Sequence, residues 1–379
     1  MEKLTGTPDG SADPDPGTGH TATNGKRTFA RHRTIKQSPV RALGFDQRIR
    51  SRGVSRISLP TTFTDLVGCR VPIQLAPMGG GVVTTDLAIA VTRAGGLGML
   101  QRSDAMPLAA RFEALAVAGA EPFGVNFVLH GPSAHERAEI EFAASRARLV
   151  EFFWAEPDPA VVGWVHQAGA LAGWQVGSAA EATRALDAGC DLIVAQGVEA
   201  GGHVRGTVGL LPLLADILDV VMVPVLAAGG ITTARSMAAV LAAGAAGVRM
   251  GTRFLATPES GAHPDYVAAL LAADGQATTL TEAFGVGWPD APHRVLASAL
   301  TQAGAFRGEV VARHGWQGSP IARFASQTPN REVEGSVGAM ALYAGQGVGQ
   351  VSTVIPAAQV VTDFTDEAER LLRRWTNRR

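Results

Sequence analysis

From Leu59 onward the sequence alternates between short apolar runs and longer segments with helical spacing, and this alternation restricts the fold more than any other feature. Strands that read as nearly continuous apolar runs are typical of a parallel sheet covered by helices. The helix-like stretches include Ala179–Ala188, Leu210–Val220 and Thr233–Ala243, and several end at glycine, as a helix C-cap does. The apolar runs are Val71–Leu75, Leu97–Leu100, Phe123–Leu129, Leu149–Trp154, Leu171–Val176, Leu192–Gln196, Pro224–Ala228 and Val248–Phe254.

Eight such β/α units predict an α/β protein built as a closed (β/α)8 TIM barrel, with a doubly wound open sheet as the alternative. The alternation stops after Ala273. Thr278–Ala341 is punctuated by Gly, Pro and aromatic residues, with helical pieces around Val295–Ala303, and we interpret 274–345 as a cap or substrate lobe. Pro356–Arg374 predicts a final amphipathic helix that packs back on the barrel.

Residues 1–58 differ in character from the predicted barrel domain, 59–379. Met1–Gly25 is rich in Gly, Pro, Thr and Asp, and Lys26–Arg56 holds ten Lys or Arg residues against the single acid Asp46. We interpret this extension as a disordered tail or an overlong gene start. The alternative is a basic arm that contacts a polyanion.

The composition excludes several classes of function. With 46% hydrophobic residues and a net charge of -1, the chain suits a globular protein whose main partner is not nucleic acid. Cys69 and Cys190 lie far apart and outside any Cys/His cluster, which argues against a disulfide framework and a zinc site. No apolar run approaches the roughly 18 residues of a membrane span, and we expect a cytoplasmic protein. After Lys36 the chain has no lysine, which excludes Schiff-base chemistry from the folded part.

The segments that follow the apolar runs are where a barrel enzyme holds its active site. Glycines after the seventh and eighth runs expose backbone N–H groups, which favours a bound phosphate over simple tight turns. The candidate segments are Ala76–Gly81, Gly124–Asn126, Gln196–His203, Ala227–Ile231 and Arg249–Phe254.

A flat ligand is able to approach the backbone closely at the first of these segments. Gly79–Gly81 carries no side-chain bulk, and Met78 offers a soft apolar surface suited to a ring system. Asn126 and Gln196 lie at strand ends, where they either hydrogen-bond a polar ring edge or serve as satisfied core amides.

His203 is the candidate proton-transfer residue, because it follows a Gly-Gly pair in a loop after a predicted strand. His130 is its chief rival, and a surface-loop histidine is the other interpretation. Glu199 and His203 are spaced four residues apart, but no third ligand lies nearby, so we predict no metal site.

The ordered motifs APMGGG, FGVNF, QGVEAGGH, AAGGI, MGTRF and LYAGQG resemble those of the nitronate monooxygenases, once called 2-nitropropane dioxygenases. The resemblance covers roughly residues 60–365. It implies an FMN-containing barrel that oxidises alkyl nitronates, and in some cases nitroalkanes, with O2 to a carbonyl compound and nitrite.

The same resemblance assigns roles to individual residues. The histidine of EAGGH is His203, implied to be the catalytic base. Arg249 to Thr252 are implied to hold the FMN phosphate. The implied cofactor-binding residues are Met78, Asn126, Gln196, Gly201, Gly230, Arg249, Met250, Gly251 and Thr252, with Gly202 and Gly229 beside them.

Three departures from the family pattern are visible. Arg249 stands where we expect glutamine. Phe152–Ala155 replaces the His-containing segment of the fourth strand that is common in the family. The chain has two tyrosines, Tyr266 and Tyr343, so we expect aromatic substrate contacts of some members to be absent.

Other functions stay open at this point. The first is an FMN-dependent enoyl-thioester reductase that uses NAD(P)H, and it shares the barrel, the phosphate loops and a Gly-Gly-His segment. A non-catalytic flavin-binding scaffold and a flavin-free phosphate-sugar isomerase are further alternatives, although the isomerase leaves APMGGG unexplained. The apolar segment after Ala273 is able to cover either the pocket or a neighbouring copy in a homo-oligomer.

Overall fold

The computed structural model describes residues 58–102, 107–130, 134–315 and 318–376. The predicted disordered tail falls outside these residues, apart from Ser58. The strands are β1 Ile73–Leu75, β2 Gly98–Gln101, β3 Phe123–Val128, β4 Leu149–Phe153, β5 Leu171–Val176, β6 Leu192–Gln196, β7 Gly202–His203, β8 Val225–Ala228, β9 Gly247–Met250, β10 Thr278–Thr281, β11 His293–Leu296, β12 Val310–His314, β13 Pro320–Ala322 and β14 Val333–Gly335.

Helices follow most of the barrel strands. Two 3-10 turns, Val337–Ala339 and Gln346–Gln350, lie near the C-terminus. The α-helices are α1 Thr62–Val67, α2 Thr85–Ala94, α3 Leu108–Val117, α4 Ala134–Ala144, α5 Pro159–Gln167, α6 Ala179–Asp187, α7 Leu210–Leu218, α8 Ala234–Ala242, α9 Thr252–Leu255, α10 Pro264–Ala272, α11 Ala297–Ala305 and α12 Ala357–Thr376.

Eight strands form one parallel sheet in the order β1-β9-β8-β6-β5-β4-β3-β2. The N–H of Leu75 donates to Leu97 O at 3.0 Å, and the N–H of Leu97 donates to Ile73 O at 2.8 Å. These bonds join β1 to the residue before β2 and so bring the two ends of the sheet together. The predicted TIM barrel is confirmed, and the open doubly wound sheet is excluded.

Local sequence fixes the helix ends, as expected for β/α units. The Thr84 hydroxyl accepts from Leu87 N at 3.0 Å at the start of α2, which ends at Gly95 with φ 110°. Thr233 and Ser236 form a reciprocal capping box at the start of α8. The long helix α12 packs against α2 and α8, in the part of the chain where the sequence predicts a C-terminal helix that packs back on the barrel.

Beyond the barrel the chain forms two antiparallel sheets, β10-β11-β7 and β13-β12-β14. A second apolar cluster around Tyr266, Phe284 and Leu342 supports them, separate from the cluster that fills the barrel. No helix within the described ranges is long and apolar enough to cross a membrane.

Two sequence-based assignments are wrong. The eighth apolar run ends as a strand at Met250, and Phe254 lies in α9, because the chain turns at Gly251, whose carbonyl accepts from Phe254 N at 2.8 Å. Val295 lies in β11, and the helix predicted from it begins at Ala297. Both errors arise because a short buried apolar run has no periodicity that separates strand from helix.

Candidate active site

A cavity of about 530 Å³ lies at the carboxyl ends of the barrel strands and the segments that follow them. Met250 is the one predicted site residue that does not line it: its side chain is buried, and its carbonyl accepts from Ala76 N at 2.8 Å. The predicted residues that line the cavity are Met78, Asn126, Gln196, Gly201, Gly202, His203, Gly229, Gly230, Arg249, Gly251 and Thr252.

His203 belongs to a short strand rather than to the loop that the sequence suggested. Gly202 and His203 form β7, which pairs antiparallel with β11 in the register His293↔His203. The N–H of Val204 extends this pairing to Pro292 O at 2.8 Å. On the other side, Gln196 Nε2 donates to the carbonyl of His203 at 2.9 Å. The backbone of His203 is therefore held from both the barrel and the cap.

The imidazole of His203 is surrounded by aromatic rings and by no carboxylate within the described contacts. Its ring stacks on Trp288 with centroids 3.8 Å apart and an interplanar angle of 21°. The ring centroids of His293 and Tyr343 lie 5.3 and 5.5 Å from that of His203. Burial, with smaller contributions from His293 and His130, lowers the pKa of His203 to about 3. The imidazole is therefore neutral at pH 7, with one of its two ring nitrogens unprotonated.

His293 is itself fixed as a neutral ring. Its Nδ1 lies 2.8 Å from Ala291 O, and its Nε2 accepts from Phe284 N at 3.2 Å. This pair of bonds requires the proton on Nδ1, and burial lowers the pKa of His293. His293 therefore acts as a structural support for His203.

Four buried polar atoms that border the cavity have no hydrogen-bond partner among the described residues: Asn126 Nδ2, Gln196 Oε1, His203 Nε2 and Trp288 Nε1. Buried donors and acceptors are normally paired, so these atoms fit a polar ligand better than a solvent-excluded core. Asn126 and Gln196 thus present one unpaired donor and one unpaired acceptor, which is what the polar edge of a flavin ring requires.

Glycine backbone gives a planar group room to approach. A Cβ built on Gly79 meets nothing within 4 Å, so the first loop is open. Gly229 and Gly230 adopt φ 118° and 65°, which favour glycine, and turn the chain at the end of β8. The residues present therefore fit a flavin: unpaired amides for its ring edge, Met78 for its face and glycine backbone around it.

The floor of the cavity contains a buried ion pair that the sequence did not reveal. Arg249 does not point a free guanidinium into the cavity, since it pairs with Glu151 on β4 and donates to Gln74 Oε1 at 2.7 Å. Gln175 accepts a further bond from it. An acid inside an apolar run was the available signal, but its partner lies 98 residues away in sequence.

Trp288 and the two tyrosines were also missed as site residues. The sequence led us to expect few aromatic substrate contacts, yet Tyr266 and Tyr343 both line the cavity. Their hydroxyls are engaged elsewhere: Tyr343 donates to Ser326 O at 2.7 Å, and Tyr266 donates to the Tyr343 carbonyl. Trp288 sits in a loop without periodicity, where no pattern singles it out.

His130 and Glu199 have different environments from His203. His130 is exposed at the edge of the cavity, with its ring 5.1 Å from that of Trp288. The carboxylate of Glu199 accepts from Leu210 N at 2.9 Å and so caps the start of α7. Among the residues that the structure describes, no group of three or more His, Cys, Asp or Glu side chains is placed to hold a metal ion.

The mouth of this TIM barrel holds a neutral histidine and unpaired side-chain amides that suit the polar edge of a flavin ring. This is the arrangement of a flavin-dependent oxidoreductase. The family model for nitronate monooxygenase matches residues 61–367. The chain belongs to this family, and it is an enzyme of the flavin-dependent oxidoreductase class.

Individual relatives differ in the reactions their names describe. A (3aS,4S,5R,7aS)-5-hydroxy-7a-methyl-1-oxo-octahydro-1H-indene-4-carboxyl-CoA dehydrogenase from Rhodococcus jostii is 35% identical over 67% of this chain and 72% of its own length. A nitronate monooxygenase from Pseudomonas aeruginosa is 33% identical over 58% of this chain and 76% of its own. The solved nitroalkane oxidase from Streptomyces ansochromogenes aligns with a TM-score of 0.64 and 31% identity, covering 84% of this chain and 100% of that one.

Proposed function

We propose that the protein is an FMN-dependent nitronate monooxygenase, which oxidises alkyl nitronates and neutral nitroalkanes with O2 to a carbonyl compound and nitrite. The observation that carries this proposal is the unpaired Nε2 of His203, buried in a cavity whose other unpaired atoms include those of Asn126 and Gln196. A proton acceptor beside a flavin site is what oxidation of a neutral nitroalkane requires.

The cofactor assignment rests on how the cavity residues divide. We assign Asn126, Gln196 and Met78 to the flavin ring, with Gly201 and Gly202 beside it. We assign the backbone of Gly229, Gly230, Gly251 and Thr252 to the phosphate of FMN. Arg249 and Met250 shape the phosphate end of the site through their backbone rather than their side chains. When bound, the flavin supplies the electron acceptor of the reaction.

His203 acts as the base. Its low pKa keeps the imidazole neutral at neutral pH, so one ring nitrogen, which we assign as Nε2, is free to take the acidic α-proton of a nitroalkane. The same shift makes the imidazole a weak base, so the nitronate that forms must be stabilised as well. The stacked indole of Trp288 and the bond from Gln196 hold the ring and its backbone in one orientation. A preformed nitronate has already lost that proton and does not need the base.

The test is a histidine substitution with a matched control. In His203→Asn we expect the flavin absorbance per protein to be unchanged and the turnover of nitroethane to fall by about 100-fold or more, as for loss of a general base. Turnover of ethyl nitronate should fall much less. His166→Asn changes an exposed histidine of α5 that does not line the cavity and should retain most of the activity. Undiminished nitroethane turnover in His203→Asn would contradict the assignment of the base.

A second candidate is favoured by the relative from Rhodococcus jostii, whose name describes a dehydrogenase of a carboxyl-CoA compound. This chain would then act on an acyl thioester, as an FMN-dependent enoyl-thioester reductase with NAD(P)H. Rapid anaerobic bleaching of the flavin by NADPH, together with no oxygen uptake on nitroethane or its nitronate, would select this function instead.

The cytoplasmic location and a homo-oligomeric state are further proposals from the sequence. Size-exclusion chromatography with light scattering measures the oligomeric state directly. A small-molecule substrate and O2 are the only partners that the proposed reaction needs.

A further inference from the structure

Trp288 is presented to the cavity by the loop between β10 and β11. Ser326 N donates to Val286 O at 3.0 Å, and Val286 N donates to Phe324 O at the same distance, so the loop is pinned to the neighbouring segment. The chain then turns at Gly287, with φ 91°, and Trp288 N donates to Gly285 O at 3.0 Å. The backbone therefore fixes where the indole lies.

Three aromatic neighbours then fix the plane of the indole. It stacks on His203. The rings of Trp154 and His130 meet it edge-on, with ring centroids 4.9 and 5.1 Å away and interplanar angles of 81° and 79°. Such pairs contribute about 0.5–1.5 kcal/mol each beyond buried area. One face of the imidazole is covered in this way, so His203 reacts through its ring edge.

The indole N–H of Trp288 is buried and has no acceptor among the described residues. Trp174 shows the usual arrangement, since its indole N–H donates to Ala155 O at 3.1 Å. An indole nitrogen is a donor only, and a buried one normally finds an acceptor. The unpaired donor of Trp288 belongs to a ring stacked directly on the ring that holds the unpaired Nε2 of His203.

The cavity offers little positive charge to a bound anion. Arg249 is the only arginine among the described residues that line the cavity, and its charge is balanced by that of Glu151. His203 is neutral at pH 7 because its pKa is about 3. Apart from the imidazolium that forms when His203 takes a proton, negative charge that develops on a substrate oxygen must therefore be stabilised by neutral donors.

We propose that Trp288 is a substrate-binding residue whose indole N–H donates a hydrogen bond to a nitro oxygen while His203 removes the α-proton. This inference rests on the proposed function. In that step the α-C–H bond breaks, the proton goes to Nε2 of His203, and the electron pair forms C=N, leaving the negative charge on the nitro oxygens. The hydrogen bond from Trp288 strengthens as that charge appears.

Trp288→Phe tests the proposal, because it keeps an aromatic ring for stacking and removes the N–H. With nitroethane we expect kcat/KM to fall by about 10- to 100-fold, mainly in kcat, since the charge appears only in the transition state. With ethyl nitronate the charge is already present, so KM should rise while kcat changes little. The kcat/KM of Trp288→His, which retains a ring N–H, should lie between those of the wild type and Trp288→Phe.

The control is Trp164→Phe on α5, outside the cavity, which should match the wild type. Flavin absorbance and circular dichroism establish that each variant is folded and loaded. Equal kcat and KM values for Trp288→Phe and the wild type, on both substrates, would overturn the inference.

A binding measurement separates this inference from the proposed function. Propionate has a planar, anionic carboxylate that resembles the nitronate group of ethyl nitronate, and its binding is followed by the change in flavin absorbance. We expect its Kd to rise about 10-fold in Trp288→Phe and to stay unchanged in Trp164→Phe. Propionate that binds both proteins equally, or fails to bind the wild type, would contradict the role of Trp288. A wild type inactive on both nitro compounds would instead contradict the proposed function.

Discussion

Arg249 and Glu151 form an ion pair inside the barrel, where the arginine side chain is 4% exposed and the glutamate side chain is fully buried. Gln74 connects the two, because its Nε2 donates to Glu151 Oε1 at 2.7 Å while its Oε1 accepts from Arg249. Gln175 accepts another bond from the guanidinium. Each charge is therefore solvated by the other and by neighbouring amides rather than by water.

Removing one partner of this pair should be strongly destabilising. Arg249→Gln leaves Glu151 as an uncompensated buried carboxylate, a change that typically costs about 3–5 kcal/mol. We expect the free energy of unfolding, measured with urea, to fall by about 3 kcal/mol or more at pH 7. The double variant Arg249→Gln/Glu151→Gln removes both charges and should recover most of the loss. A double variant no more stable than the single one would refute this coupling.

The sequence located one half of this pair and not the other. Arg249 stood out because it departs from the glutamine expected at its position. Glu151 lies within an apolar run on β4, 98 residues away, and nothing local joins the two. Their contact requires β4 and β9 to face each other across the barrel interior, which follows from strand closure and not from spacing along the chain.

The same distinction explains the rest of the site. Asn126, Gln196 and the glycines after the strands were predictable because they lie in or just after the carboxyl-terminal parts of buried strands. The placement of His203 in β7 was not, because its pairing partner His293 lies 90 residues further on, in a segment without strong alternation. Trp288 was missed for the same reason, since a loop residue gains a role only when tertiary contacts bring it to the cavity.

Two backbone segments, around Gly201 and around Gly345, lie in close contact at the edge of the cavity, and this contact predicts a sharp effect of one methyl group. A Cβ on Gly201 would lie 2.6 Å from the backbone of Ala344 and Gly345. The backbone there cannot give way as a side-chain end does, so Gly201→Ala should push the two segments apart. We expect flavin affinity to fall by about 10-fold or more, consistent with about 1–3 kcal/mol of overpacking.

Gly163→Ala is the matched control for this prediction. Gly163 lies inside α5, and a Cβ there meets nothing within 4 Å. Replacing an unhindered helix glycine by alanine should stabilise the fold by about 0.5–1 kcal/mol and leave the cofactor bound. Flavin release measured by fluorescence distinguishes the two variants, and equal flavin affinity in both would refute the steric argument.

The pH dependence of turnover should reflect the low pKa of His203. Because burial lowers this pKa to about 3, the free enzyme holds the imidazole neutral at every pH above about 5. We therefore expect kcat/KM for freshly dissolved, neutral nitroethane to show no loss as the pH falls from 7 to 5. An acid limb centred near 6.5 that disappears in His203→Asn would show that the imidazole titrates as an exposed one does.

The same pKa makes the stability of the fold depend on pH in a defined direction. In the unfolded chain His203 titrates near 6.5, whereas in the native protein it does so near 3. Between these values the unfolded state binds a proton that the native state does not, so native stability is full above pH 6.5 and declines as the pH falls toward 3.

His203→Asn removes this proton-binding site, so its free energy of unfolding should decline less steeply with falling pH than that of the wild type. The difference between the two slopes is at most about 1.4 kcal/mol per pH unit. Urea unfolding of both proteins at pH 7.5 and pH 5 measures the difference, and packing lost in the variant cancels because it is the same at both pH values. Parallel curves for the two proteins would mean that His203 is protonated in the native state as readily as in the unfolded chain.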